Sequence, residues 1–290
     1  MAAHPLLEAI AHRIKPLKPK RWTNGPLTEE HLQTLQKECE ADAAFDEIFS
    51  KKQLWALFKA GKIDPVVKMH PNGLGTVVAL LPDPKQVDEI PWDLWSVILQ
   101  LFKRPDGKPY GIFLCGHPAQ RRFPTRPGQP VRPYHINGGY TYPCNATCVF
   151  VFRAQEASRV LIHELFHSSC SDNTSLPLEE REAETEAWAE LVWCGLMAHG
   201  DITTFQSYVK KQGSWMLAQN AALHNGRHMQ PGPKGFPWRY TVGKAELWRR
   251  WGLLSGCRPS APLQGSLRLT FMPSEDLKRS WNVPATSMML

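Results

Sequence analysis

No stretch of this 290-residue chain approaches the roughly 18 consecutive apolar residues that a membrane-spanning helix requires, so no membrane span is expected. Its first residues, MAAHPLLEAIAHRIKPLKPKRW, lack an apolar run followed by a small-residue cleavage site; a secretory signal is not expected and a cytoplasmic location is. Cysteine is sparse and odd in number: seven scattered residues form no disulfide framework and fit a reducing compartment. No internal repeat is present, which sets aside solenoids and arrays. Long basic tracts are missing too. The formal charge of +7 is spread over short clusters at Lys15, Lys18, Lys20 and Arg21, at Arg121 and Arg122, and at Arg249 and Arg250. Such a balance bears on partners rather than fold; it allows nucleic acid without favouring it.

What is there is a chain able to bury a large core, with 42% hydrophobic and 21% charged residues. Eleven Trp and twenty-five Pro indicate aromatic anchors and rigid, irregular connections. Residues 1 to about 27 read as a Pro-rich basic arm held to the body by Trp22. Thr28 caps a helix through Glu40, and a second helix is expected from Ala43 to Ala60, stopping at Gly61. Residues 1–70 thus form an arm and a helical subdomain, and residues 71–290 the main domain.

In that domain GLGTVVALL (Gly73–Leu81) and YGIFLCG (Tyr110–Gly116) read as strands, with a helix from Pro91 to Lys103 between them. A Pro- and Arg-rich loop follows over His117–Pro133, then a hairpin or bend over Tyr134–Tyr142 and a strand over Val149–Arg153. Later helices begin near Pro177, at Asp201 and near Ala245, and a Pro-rich tail closes the chain.

The most specific stretch is VLIHELFHSSC, Val160–Cys170, which places His163, Glu164 and His167 in the spacing H-E-x-x-H. Residues four apart on a helix are offset by about 40°, so both imidazoles can reach one metal ion. Glu164 lies about 100° around from His163 and is placed instead to take a proton from an attacking water. The flanking Val160, Leu161, Ile162, Leu165 and Phe166 mark the helix as buried, where two histidines and a carboxylate are costly unless something satisfies them. Zn2+ accepts imidazole and carboxylate and keeps an open position in catalytic sites.

The segment resembles the active-site helix of the zincin metallopeptidases. The metzincin continuation is absent, since Cys170 and Asn173 stand where Gly and His would be. The gluzincin pattern is closer: Glu186 follows His167 after eighteen intervening residues, and Glu190 stands one turn on. The resemblance implies an α+β, zincin-like fold: a mixed sheet packed on the active-site helix, a mostly helical N-terminal subdomain and a helical C-terminal lobe. It implies a zinc peptidase acting on peptides or proteins, with His163, His167 and Glu186 as ligands, Glu164 as base and Glu190 bonded to the first histidine. It also implies an edge strand within Tyr134–Phe152 that pairs with extended substrate. Glu182 is the second choice as third ligand, and the stripe Glu179, Glu182, Glu186 and Glu190 also fits a solvated helix face. An oxyanion donor is expected from Tyr240 or His228, ahead of His224 and Tyr208.

A competing pattern uses Cys144 and Cys148 with the same two histidines, giving C-x3-C-x14-H-x3-H, close to a Cys2His2 nucleic-acid-binding module. A non-catalytic, zinc-stabilised interaction protein is the third possibility.

Overall fold

The computed structural model describes residues 4–42, 45–229, 234–259 and 281. The chain is α+β. Its elements are α1 (Pro5–Ile14), β1 (Thr23–Asn24), α2 (Glu29–Glu40), α3 (Ser50–Lys59), β2 (Val66–Met69), β3 (Gly75–Leu80) and α4 (Trp92–Leu101). They continue with β4 (Tyr110–Cys115), α5 (Pro133–Ile136), β5 (Gly139–Thr141), β6 (Val149–Val151) and α6 (Ala157–Ser168). Helices α7 (Leu178–Met197), α8 (Ile202–Asn225), α9 (Phe236–Arg239) and α10 (Val242–Arg250) follow. Among the described residues no helix is long and apolar enough to cross a membrane.

The chain divides into two interleaved units. The sheet unit takes residues 16–119 and 138–169, and the helical unit takes residues 4–15, 120–137 and 170–259.

In the sheet unit six strands run in the order β1-β2-β3-β4-β6-β5. The β3-β4 and β4-β6 pairs are parallel, while β1, β2 and β5 pair antiparallel, so the sheet is mixed. The parallel centre is buried almost throughout, as expected for strands covered on both faces. Alternation then assigns the layers. Val78, Leu80, Phe113, Cys115, Phe150 and Phe152 join Leu35, Leu54 and Trp55 of α2 and α3 in one core cluster. α6 packs against β5 and β6, where Gly139 meets it from the opposite side of the strand to Tyr140.

Several local expectations meet the structure directly. The Thr28 hydroxyl accepts from His31 N, β3 and β4 fall inside the expected strands, and Trp22 is buried with its indole donating to Trp92 O at 2.7 Å. Three differ. The supposed arm contains α1, whose Leu7, Ala11 and Ile14 lie on one buried stripe and whose start is capped by His4. β2 is an additional strand. The second helix begins at Ser50, because the Asp46 carboxylate accepts from the amides of Ser50 and Lys51 and fixes the start there. Residues 43–44 and the Pro-rich tail after Pro259 lie outside the described residues, Trp281 excepted.

The sheet unit carries a built-in acid sensitivity. His70 is buried against Trp22, accepts from Asn72 N at Nδ1 (3.2 Å) and faces Ser96 Oγ at 3.2 Å through Nε2. Burial holds its pKa below 6.5. Since the folded value is depressed, the stability this neutral imidazole contributes is complete above about pH 6.5 and is lost as pH falls through the folded pKa. Melting curves between pH 8 and pH 5 should therefore fall less steeply for His70→Asn than for the wild type; parallel slopes would remove His70 as the cause.

The helical unit is centred on α7, buried on nearly all sides beyond Thr185. Leu7 and Ala11 of α1, Phe205, Val209 and Met216 of α8, and Ala245 and Trp248 of α10 close around its Ala187, Leu191 and Cys194. Gly200 makes the α7–α8 turn at φ +71°, and a Cβ there would sit 2.7 Å from Lys15 N. Asp201 caps α8 by accepting from Thr204 N at 2.8 Å, as its sequence position predicts.

Candidate metal centre

Both ends of α6 are tied down. At its start the Trp95 indole donates to Ser158 Oγ at 2.9 Å. At its end, where a helix leaves carbonyls without partners, Cys144 N donates to His167 O at 2.9 Å and Arg104 Nη1 to Ser168 O at 2.7 Å. The helix is buried along almost its whole length, so it cannot rotate to move its polar residues into water.

On this fixed helix the His163 and His167 rings lie 4.9 Å apart and are inclined by 74°. Their Nε2 atoms approach to 3.1 Å, with the residues only 2% and 7% exposed. Two imidazoles bound to one tetrahedral zinc through bonds of 2.0–2.1 Å would have nitrogens about 3.3 Å apart, so the pair fits such an ion. Glu164 is equally buried, at 4% exposure. A Cβ built on Gly139 of β5 would lie 3.0 Å from Glu164 Oε1, 2.5 Å from Val160 Cγ1 and 2.7 Å from Phe150 O. Only glycine lets the edge-strand backbone come this close to the carboxylate.

The helical unit holds the other expected residues. The Glu179–Glu190 stripe is not a solvated face. Glu186 and Glu190 are fully buried, with Lys244 Nζ at 3.5 and 3.2 Å from their Oε1 atoms and itself fully buried. Glu182 is partly buried and accepts from Tyr240 OH at 3.0 Å, while Glu179 and Glu180 pair with Arg239 and Lys234. Tyr240 is thus joined to a glutamate of α7. His228 is not: its Nδ1 faces Gln129 O at 2.9 Å and its ring abuts Phe123. His224 is exposed on α8, and the Tyr208 ring lies under Lys211.

Lys244 was not anticipated, although a signal exists. It stands four residues before Trp248, so the stripe that buries the tryptophan also buries the lysine.

The sulfur pair does not converge on the histidines. Cys144 is disulfide-bonded, which removes its thiolate and runs against the expectation from cysteine usage. Cys148 packs in the core under α2 and α3, and burial together with the Glu38 carboxylate pushes its thiol up to about 12. Among the described residues neither cysteine joins a metal-ligating group with His163 and His167.

A cavity of about 360 Å³ in the sheet unit is lined by Leu17, Leu74, Tyr110, Lys103, Arg104 and Lys108, with no histidine or carboxylate in its wall. Arg104 is already spent on Asp106 and on Ser168 O. The cavity lacks the residues for hydrolysis. Neither a family model, nor a curated protein, nor a solved structure matches this chain.

Proposed function

We propose that this protein is a zinc-dependent metallopeptidase of gluzincin type. One observation carries the reading: two buried histidines one turn apart with their Nε2 atoms 3.1 Å from each other, and between them in sequence a buried glutamate set against an edge strand. A structural pair of histidines needs no carboxylate beside it, whereas hydrolysis does.

His163 and His167 would hold the ion together with a glutamate of α7. Spacing alone favours Glu186. Lys244 argues against it, because a carboxylate sharing its charge with a buried ammonium is a weaker donor, and Glu182, one turn earlier on α7, is then preferred. When bound, zinc would supply a Lewis acid that polarises a carbonyl and acidifies water. The remaining work belongs to the chain. Glu164 would accept the proton of the attacking water and return it to the leaving nitrogen. Tyr240, once its single O–H turns from Glu182, is the preferred hydrogen-bond donor to the developing oxyanion, and His228 the second. The backbone of β5 would align an extended peptide by strand addition.

Elemental analysis of purified variants tests the ligand set. Wild type is expected to retain about one zinc per chain, Glu182→Ala to lose it, and Cys148→Ser to keep it. Loss from Glu186→Ala but not from Glu182→Ala would move the third ligand one turn along α7. Loss from Cys148→Ser with retention in both glutamate variants would overturn the peptidase reading.

A further inference from the structure

We propose that Glu38, Lys51 and Tyr140 form a buried anchor that fixes edge strand β5 beside Glu164, with Tyr140 as the positioning residue of the site. The kinetic part of this inference rests on the peptidase reading; the anchoring itself does not.

β5 needs such a device. It is three residues long and, among the described residues, is paired only to β6 and ends the sheet. Strands this short at an edge are held weakly by their own ladder. On its inner face Gly139 has no side chain and must have none to fit against Val160 and Glu164, so that face is held only at the strand's end, where Thr141 Oγ1 donates to Cys148 O at 2.8 Å. The opposite face carries Tyr140, and there the restraints accumulate. Its ring stacks on Phe150 at 5.3 Å with a 12° inclination and meets Phe45 at 4.7 Å. Its hydroxyl accepts from Lys51 Nζ at 3.0 Å and donates to Glu38 Oε2 at 2.7 Å.

The two partners are themselves immobile. Glu38 and Lys51 are 3% and 2% exposed, and Lys51 Nζ also donates to Glu38 O at 2.7 Å. That ammonium lies 4.5 Å from the Tyr140 ring centre. Asp46 holds the first turn of α3, and with it Lys51, by accepting from the Lys51 amide. Just past the strand, Tyr142 OH donates to the same Glu38 carboxylate at 3.2 Å. A buried acid and a buried lysine are costly to keep, and satisfied polar clusters of this sort specify one arrangement of the chain around them. What they specify here is the position of β5, whose other face touches the proposed base.

The test compares wild type, Tyr140→Phe and, as a second variant, Tyr142→Phe, each loaded with zinc. Hydrogen exchange read by mass spectrometry should rise about tenfold or more in the segment containing Gly139–Thr141 in Tyr140→Phe, with β3 and β4 unchanged. Tyr142→Phe should give a smaller rise in the same segment. A purely structural role would instead raise exchange across the whole sheet. In peptide hydrolysis, Tyr140→Phe should raise KM about tenfold with a smaller change in kcat and unaltered zinc content. Exchange in β5 equal to wild type, or spread evenly over the sheet, overturns the anchor. Loosened β5 with unchanged KM and kcat overturns its role in catalysis. If wild type cleaves no peptide while Tyr140→Phe loosens β5, the peptidase reading fails and the anchor stands.

Discussion

Glu164→Gln is expected to lower kcat by about 10²–10⁴-fold while leaving zinc content at the wild-type level. Glutamine keeps the volume of the side chain in a site where Glu164 is only 4% exposed, so neither α6 nor the approach of Gly139 needs to change. It cannot accept a proton from water. The ligand pair is untouched, since the 3.1 Å approach of the His163 and His167 nitrogens is set by the helix and its two tethered ends. Separating the two effects is the point of the variant: loss of turnover with retained metal identifies a base, whereas loss of both identifies a structural residue. Single-turnover hydrolysis of a peptide library beside elemental analysis gives the answer, and a kcat within about threefold of wild type would remove Glu164 from the mechanism.

Lys244→Met should destabilise the protein by about 3–5 kcal/mol, the usual cost of breaking a buried ion pair from one side. The methionine replaces most of the apolar stem and removes the cation that Glu186 and Glu190 share. All three residues are fully buried, so water cannot take over the role of the ammonium. Adding Glu190→Gln to Lys244→Met should recover part of the loss, because it removes one of the two carboxylates left facing each other. Urea unfolding followed by circular dichroism measures both. A loss below about 1 kcal/mol in the single variant would mean that the buried carboxylates do not depend on Lys244.

Much of the candidate site is legible in the chain because its signals are local. His163, Glu164 and His167 are fixed relative to one another by a single helix, and the helical period is enough to place them. The same holds for the caps at Thr28 and Asp201 and for the parallel strands β3 and β4, each of which stands as a compact apolar run. What escaped were features whose meaning lies in distant partners. Glu186 and Glu182 differ little in sequence; Lys244 and Tyr240, more than fifty residues on, distinguish them. Glu38 looks like one more surface acid on an acidic helix until Tyr140, 102 positions away, arrives to meet it. α1 is less legible for another reason: its short Leu7–Ala11–Ile14 stripe runs directly into the Pro- and Lys-rich residues 15–20.

The interleaving of the two units also constrains how the protein can be made. Strand β6, the neighbour of β4, emerges from the ribosome only after residues 120–137 of the helical unit. Until then β4 presents an open edge carrying Ile112, Phe113 and Leu114, all of which are buried in the finished sheet. Exposed apolar edges of this kind are templates for aggregation, and pairings across long sequence separations form slowly. A fragment cut before Gln120 would keep that edge permanently, and no single cut yields either unit whole. The chain is built to be translated and folded as one piece.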